Sequence, residues 1–266
     1  MFSSMLRGGL LAGGMLLSVM GAVASADTIT VNPGAIGVTG PTVQANFADF
    51  SYVALVNQTA VNGTGTFNEQ GAGTFGSFRF PNLSDVVTNS GLNTNYRMYA
   101  VFSGAGTVAP TVGIPGGETA TFNSFTLRLF VDPNQNSVIT ASPVGTVGGT
   151  VNVSNTADDI LVGQSSALVA GQSHAFPGLA NGDFHVQVRF SPVGGFLSGP
   201  FSLGLAVADF NGVNTSLQGF SLGNFNSGRV DGSGNFFVSA VPEPTTLLLL
   251  GSGIAALGLF RRKVQG

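Results

Sequence analysis

Phe184, Val186, Val188 and Phe190 alternate with Asp183, His185, Gln187 and Arg189. That two-residue period is the signature of a strand with one face buried. Phe125, Leu127, Leu129 and Val131 repeat it against Ser124, Thr126 and Arg128. Tyr96, Met98, Ala100 and Phe102 do the same, and so do Phe201, Leu203, Leu205 and Val207. In the Tyr96 strand the opposing Tyr99 and Val101 suggest cover on both faces. Shorter alternating runs predict further strands at 47–56, 74–80, 160–162, 168–169 and 236–238. Clusters such as Gly116-Gly117, Asp132-Pro133-Asn134, Gly148-Gly149, Asn181-Gly182 and Gly194-Gly195 separate these runs. They are turn formers, because Gly and Asn accept positive φ and Pro presets the first turn position. Asp209-Phe210-Asn211-Gly212 reads as another such turn, and Ser84 to Thr88 as at most one helical turn. The pattern predicts an all-β fold, an antiparallel β-sandwich of jelly-roll type over residues 27–222. A Gly/Thr-rich stretch at 141–150 reads as a hinge or a long turn, and the polar residues 223–240 as a flexible stalk.

The two ends follow a different pattern. Arg7, an apolar run from Leu10 to Val23 and the small residues Ala24-Ser25-Ala26 describe a secretory signal peptide over 1–26, with cleavage after Ala26. At the other end, residues 241–266 run VPEPTTLLLLGSGIAALGLFRRKVQG. Thr245 to Phe260 is uncharged, and sixteen helical residues span roughly 24 Å. A transmembrane helix of that length is short for a ~30 Å hydrocarbon core and suits a transient span. Arg261, Arg262 and Lys263 form a stop-transfer cluster that keeps the extreme C-terminus cytoplasmic and the rest outside.

Between the ends there is no Lys, and five Arg face eleven Asp and Glu, a net charge of −6. Nucleic acid is excluded as a partner on this ground, since phosphate binding needs clustered basic residues. The chain has no Cys, which rules out thiolate zinc sites, thiol catalysis and disulfides. Gly is abundant, 40 of 266 residues, but the ordered alternation of Phe and Val argues against disorder.

Pro242, Glu243 and Pro244, the apolar run from Leu247 to Phe260, and Arg261-Arg262 together resemble the PEP-CTERM sorting signal of Gram-negative bacteria. The resemblance implies export and recognition by the membrane protease-transpeptidase exosortase. It also implies transient anchoring in the inner membrane, removal of the signal near the Pro-Glu-Pro triplet, and release to the cell surface or extracellular matrix.

Catalytic constellations are sparse. The Gly-x-Ser-x-Gly elbow of nucleophilic hydrolases is absent; Gly163-Gln164-Ser165-Ser166-Ala167 lacks the second glycine. His174 and His185 read as exposed structural histidines, and neither HExxH nor a close His pair occurs. The only Glu residues are Glu69, Glu118 and the sorting-signal Glu243, a poor basis for a glycosidase. Asp158 and Asp159 are adjacent and would point apart in an extended segment. Asp132, Asn134 and Asn136 place oxygens at alternate positions like the start of a calcium loop. Ser137 and Pro143 occupy the positions where such a loop needs Gly and Glu. The segment therefore reads as a tight turn, with calcium as the alternative and no other cofactor expected. Asn-x-Ser/Thr triplets at Asn57, Asn62, Asn82, Asn152 and Asn214 follow from an Asn/Thr/Ser-rich composition.

The body also looks like the flocculation-associated group of PEP-CTERM proteins, in FNEQGAG at Phe67 to Gly73, NYRMYAVFSGAGT at Asn95 to Thr107 and LRLFVDPN at Leu127 to Asn134. This resemblance implies a non-enzymatic exported protein needed for cells to aggregate, as flocs or biofilm, within an exopolysaccharide matrix. Two alternatives stand beside it: an exported carbohydrate-active hydrolase, and a self-assembling structural subunit of the cell surface. Tyr99 and Phe130 are candidate rings for stacking on sugars, against the alternative of burial.

Overall fold

A computed structural model describes residues 27–80, 85–176, 178, 180–199 and 206–240. The signal peptide with Ala24 and Ala26 lies outside the described residues, as do the sorting triplet and the basic cluster. So does most of the strand expected at Phe201 to Val207. Among the described residues no helix is long and apolar enough to cross a membrane.

The strands are β1 (Ile29–Val31), β2 (Val43–Ala45), β3 (Phe47–Val61), β4 (Thr64–Arg79), β5 (Arg97–Pro110), β6 (Glu118–Asp132), β7 (Val138–Ala141), β8 (Val151–Ser154), β9 (Ile160–Phe176), β10 (Asn181–Pro192), β11 (Leu197–Ser198), β12 (Ala206–Gln218) and β13 (Phe225–Ala240). Eight of them close a barrel in the order β10-β12-β13-β3-β4-β5-β6-β9, every neighbour antiparallel. The fold is all-β and antiparallel as the alternation requires. The sheet closes on itself as an up-and-down barrel instead of splitting into two packed layers. Eight strands enclose a space that side chains can fill, and here Phe does most of the filling. Phe50, Phe75, Phe210 and Phe236 lie within 4.7–6.0 Å of one another through the chain of contacts Phe75–Phe50–Phe210–Phe236, centroid to centroid.

Glycine makes the room. A Cβ on Gly71 would lie 2.3 Å from the Phe102 ring, and one on Gly163 would lie 2.2 Å from that of Phe190. The expected stalk is part of this wall: Phe225–Ala240 is β13, which pairs with β12 on one side and β3 on the other. Its Val230, Phe236 and Val238 are buried. The expected turn at Asp209 to Gly212 lies inside β12. A Cβ on Gly212 would stand 2.3 Å from the carbonyl oxygen of Ser233, so this glycine serves close strand approach and makes no turn. Asn181-Gly182 likewise begins β10, and the reversal precedes it at Ala180, with φ 51°. Val86 bridges to Arg79 as an isolated antiparallel pair where a helical turn was expected. A genuine two-residue hairpin turn joins β3 to β4 at Asn62 and Gly63, with φ 52° and 75°.

One barrel end carries the hairpins β3–β4, β5–β6, β9–β10 and β12–β13. The other receives both ends of the described chain. It is closed by the three-stranded sheet β11-β1-β2, where Ile29, Val31, Phe196 and Leu197 are buried and Tyr96 meets Phe196 edge-on at 5.7 Å. Between β6 and β9 the chain leaves the barrel as the β7–β8 hairpin, so 141–150 is the long turn of the two alternatives. This hairpin lies on the outer wall, where Gln70 Nε2 donates to Gly149 O at 2.9 Å and Ser227 Oγ to Thr146 O at 2.5 Å. The outward-facing Leu55 and Ala72 are buried on this side of the barrel.

Candidate functional site

Toward the hairpin end the Phe packing opens into a recess of about 70 Å³. That exceeds what a single water needs. Its wall is mostly apolar, with rings such as Phe50, Phe67, Phe102, Phe122 and Phe184 and a few polar groups set among them. Tyr52 donates its hydroxyl to Asn214 Oδ1 over the intervening β13. A Cβ on Gly232 would sit 2.4 Å from that hydroxyl oxygen, so β13 yields the space the phenol occupies. Gln58 Nε2 donates to both carboxylate oxygens of Glu118, at 3.1 and 3.2 Å.

The inward positions of β4 run Phe67, Glu69, Gly71, Gly73 and Phe75, which places the Glu69 carboxylate among rings. Burial, which disfavours the charged form, raises its pKa from 4.5 to about 7. The wall outside it is thin, formed by Gly104 and Ala105 of β5, and Glu69 also borders the outer surface there. Burial raises the Glu118 pKa as well, while the bond from Gln58 pulls the other way. Tyr52 is pushed well up by burial first, then by the charges of Glu69 and Asp231. The recess therefore pairs an apolar lining with two carboxyls held toward their neutral form, an arrangement the sequence conceals. Its one readable signal is a Glu at an inward position of an alternating strand.

The residues singled out by sequence fall elsewhere. His174 Nδ1 meets Asp183 Oδ1 at 2.6 Å, and His185 Nε2 meets the buried Asp209 at 2.9 Å, both on the outer wall of β9, β10 and β12. Gln187 also donates to Asp209, at 2.7 Å. Tyr99 points outward yet is buried, stacked on Phe130 at 5.2 Å, so it offers no face to a sugar. Asn134 Oδ1 accepts the Asn136 amide at 3.2 Å, the turn geometry expected of that loop. Asp132 and the Asp158-Asp159 pair come together outside the barrel. Of the Asn-x-Ser/Thr positions, Asn62 and Asn152 are exposed, Asn57 is half-buried and accepts the Ser227 amide, and Asn214 is buried. Asn82 lies outside the described residues.

Along the outer wall of β3 to β6 runs a trough of about 310 Å³. Asn68, Ser103, Ser124 and Thr126 present amides and hydroxyls there, all exposed. Ser103 and Thr126 hydrogen-bond each other across the β5–β6 pair at 2.8 Å.

An eight-stranded antiparallel barrel followed at once by a Pro-Glu-Pro triplet, an apolar run and a basic cluster defines an exported, tail-sorted β protein. Residues 240–263 match the family model of the PEP-CTERM protein-sorting motif. The chain thus carries a PEP-CTERM sorting motif, which implies an exported protein directed to exosortase and anchored in the membrane only in passing. No curated protein and no solved structure matches the chain.

Proposed function

We propose that the sorted protein is a non-enzymatic component of the cell surface or extracellular matrix of a Gram-negative bacterium, and that it binds exopolysaccharide and promotes cell aggregation in flocs or biofilm. The observation that carries this reading is the trough of amide and hydroxyl side chains on the barrel wall, joined to an export signal. Asn, Ser and Thr are neutral donors and acceptors suited to sugar hydroxyls, and no basic side chain lines the trough. Neither histidine lines the trough: His174 and His185 lie with their aspartates on another part of the wall, so the trough itself holds no imidazole base.

The triple variant Asn68→Ala, Ser103→Ala, Thr126→Ala removes polar groups from exposed strand positions. It is expected to weaken binding to purified matrix polysaccharide about tenfold or more, at about 1 kcal/mol per lost bond, with little change in Tm. Deleting the gene should abolish aggregation, and the triple variant should restore it only in part. Equal polysaccharide binding by parent and triple variant, together with normal aggregation of the deletion strain, would refute the proposal. His174→Ala and His185→Ala should leave aggregation unchanged; loss with either would favour the hydrolase.

A further inference from the structure

β6 ends at Asp132, and the chain returns to the barrel through Asp158 and Asp159 just before β9. One carboxylate oxygen from each of the three lies within 4.8 Å of the others. Asp132 is completely buried. Its Oδ2 accepts the Ser137 amide at 2.8 Å, while its Oδ1 is buried and meets no partner. Asp159 repeats the arrangement: Oδ2 accepts from Tyr99 Oη at 2.5 Å and Ser137 Oγ at 2.7 Å, and Oδ1 is buried without a partner.

A buried carboxylate oxygen that accepts nothing forfeits its hydration without compensation. Two such oxygens beside a third carboxylate add mutual repulsion in a region of low dielectric. The nearby cation does not resolve this. Arg97 stands opposite Asp132 in the β5–β6 register, yet its Nη1 donates to the backbone oxygen of Ser137 at 3.1 Å. These hydrogen bonds go to the Oδ2 atoms or to backbone, and both Oδ1 atoms stay buried without a partner.

We infer that Asp132, Asp158 and Asp159 form a binding site for a calcium ion. The donor set is all hard oxygen, with no sulfur or imidazole, which selects Ca²⁺ or Mg²⁺ over zinc or copper. Site geometry favours the larger ion: Ca²⁺ takes six to eight oxygens in flexible arrangements, whereas Mg²⁺ demands a near-ideal octahedron, and three carboxylates from two separate chain segments with an exposed side form no such cage. Exposed Asp158 provides the entry side and leaves room for water ligands. Asn134 and Asn136, the alternate oxygens of the loop, are not needed: the Asn134 side chain shapes the turn, and the other acids come from Asp158 and Asp159 downstream in sequence. The ion would clasp the two roots of the β7–β8 excursion, beside the Val131–Ile160 pair where β6 and β9 begin their seam.

Terbium titrated into the full chain tests the site directly. Tyr99 hydrogen-bonds one ligand carboxylate, and the chain has three Tyr and no Trp, so bound terbium should show tyrosine-sensitised emission over a low background. Calcium should displace it with a midpoint of about 10⁻⁴–10⁻³ M, the range of extracellular calcium modules. Asp158→Asn, at an exposed position, should leave Tm unchanged without calcium and weaken both ions about tenfold. Calcium at ten times its Kd should raise the parent Tm by about 3–6 °C, and this shift should vanish in Asp132→Asn. If Asp132→Asn does not fold, the parent shift and the Asp158→Asn affinity still decide. No sensitised emission, emission that calcium does not displace, unchanged affinity in Asp158→Asn, or a parent Tm indifferent to calcium would each overturn the assignment.

Discussion

Replacing Glu69 with Gln is expected to raise the Tm of the protein at pH 8 by roughly 3–8 °C and to change it little at pH 5. In the folded chain Glu69 holds its proton up to about pH 7, whereas the unfolded chain releases it near 4.5. Across that window the folded state binds more protons, so stability falls as pH rises, and above about pH 7 the full penalty is present. Two and a half units correspond to at most about 3 kcal/mol, reduced by the exposure Glu69 retains through the Gly104 wall. Gln is close to the neutral acid in shape and cannot ionise, so the variant escapes the penalty. Glu118, also raised, adds a slope of the same sign in both proteins. Thermal melts at pH 5, 6, 7 and 8 measure the difference; parallel curves for parent and variant would remove Glu69 from the account.

Gly163→Ala is expected to destabilise the protein by about 1–3 kcal/mol, the usual cost of overpacking a filled core. That is a fall in Tm of several degrees for a domain of this size. The three nearest atoms to the new methyl all belong to the Phe190 ring, at 2.2, 2.9 and 3.0 Å, and Phe190 is fully buried. Trimming that ring should therefore relieve the clash: Gly163→Ala with Phe190→Leu should be more stable than the sum of the single changes by over 1 kcal/mol. Denaturant unfolding of the four proteins closes the cycle. Additive losses would mean that the glycine serves the backbone and not the ring.

These two positions show what the sequence discloses and what it hides. Alternating apolar residues mark β5, β6 and β10 plainly, because an apolar side chain at every second residue has few other uses. The same alternation runs through β13 as Gly228, Val230, Gly232, Gly234, Phe236 and Val238, but with Gly in half of the inward positions it looks like a linker. Gly232 is inward because the Tyr52 ring fills its place, and Gly212 because a neighbouring carbonyl does. A glycine that accommodates a distant ring is indistinguishable, in one dimension, from a glycine that makes a turn. Barrel closure was hidden for a related reason: alternation says which face is inside but not how many sheets share that inside. At the acidic cluster, Asp132 was legible as a candidate ligand. Its companions were not, since the excursion between β6 and β9 separates them in sequence and a turn at Asp158 undoes the divergence expected of adjacent residues.

The direction of β13 has a consequence for traffic at the membrane. The strand runs from the hairpin end to the end where the described chain finishes at Ala240, and Pro242 follows two residues later. Four residues separate Ala240 from the apolar run that starts at Thr245, and they reach at most about 14 Å. With so short a tether, the uncut protein would keep its closed end near the lipid surface and its recess-bearing end farther out, and exosortase would work in the narrow space beneath the barrel. A spacer of ten Gly and Ser residues inserted after Ala240 would lengthen that leash and should speed release of the protein from cells. The rate at which cell-bound protein appears outside measures how far crowding at this junction sets the pace of sorting.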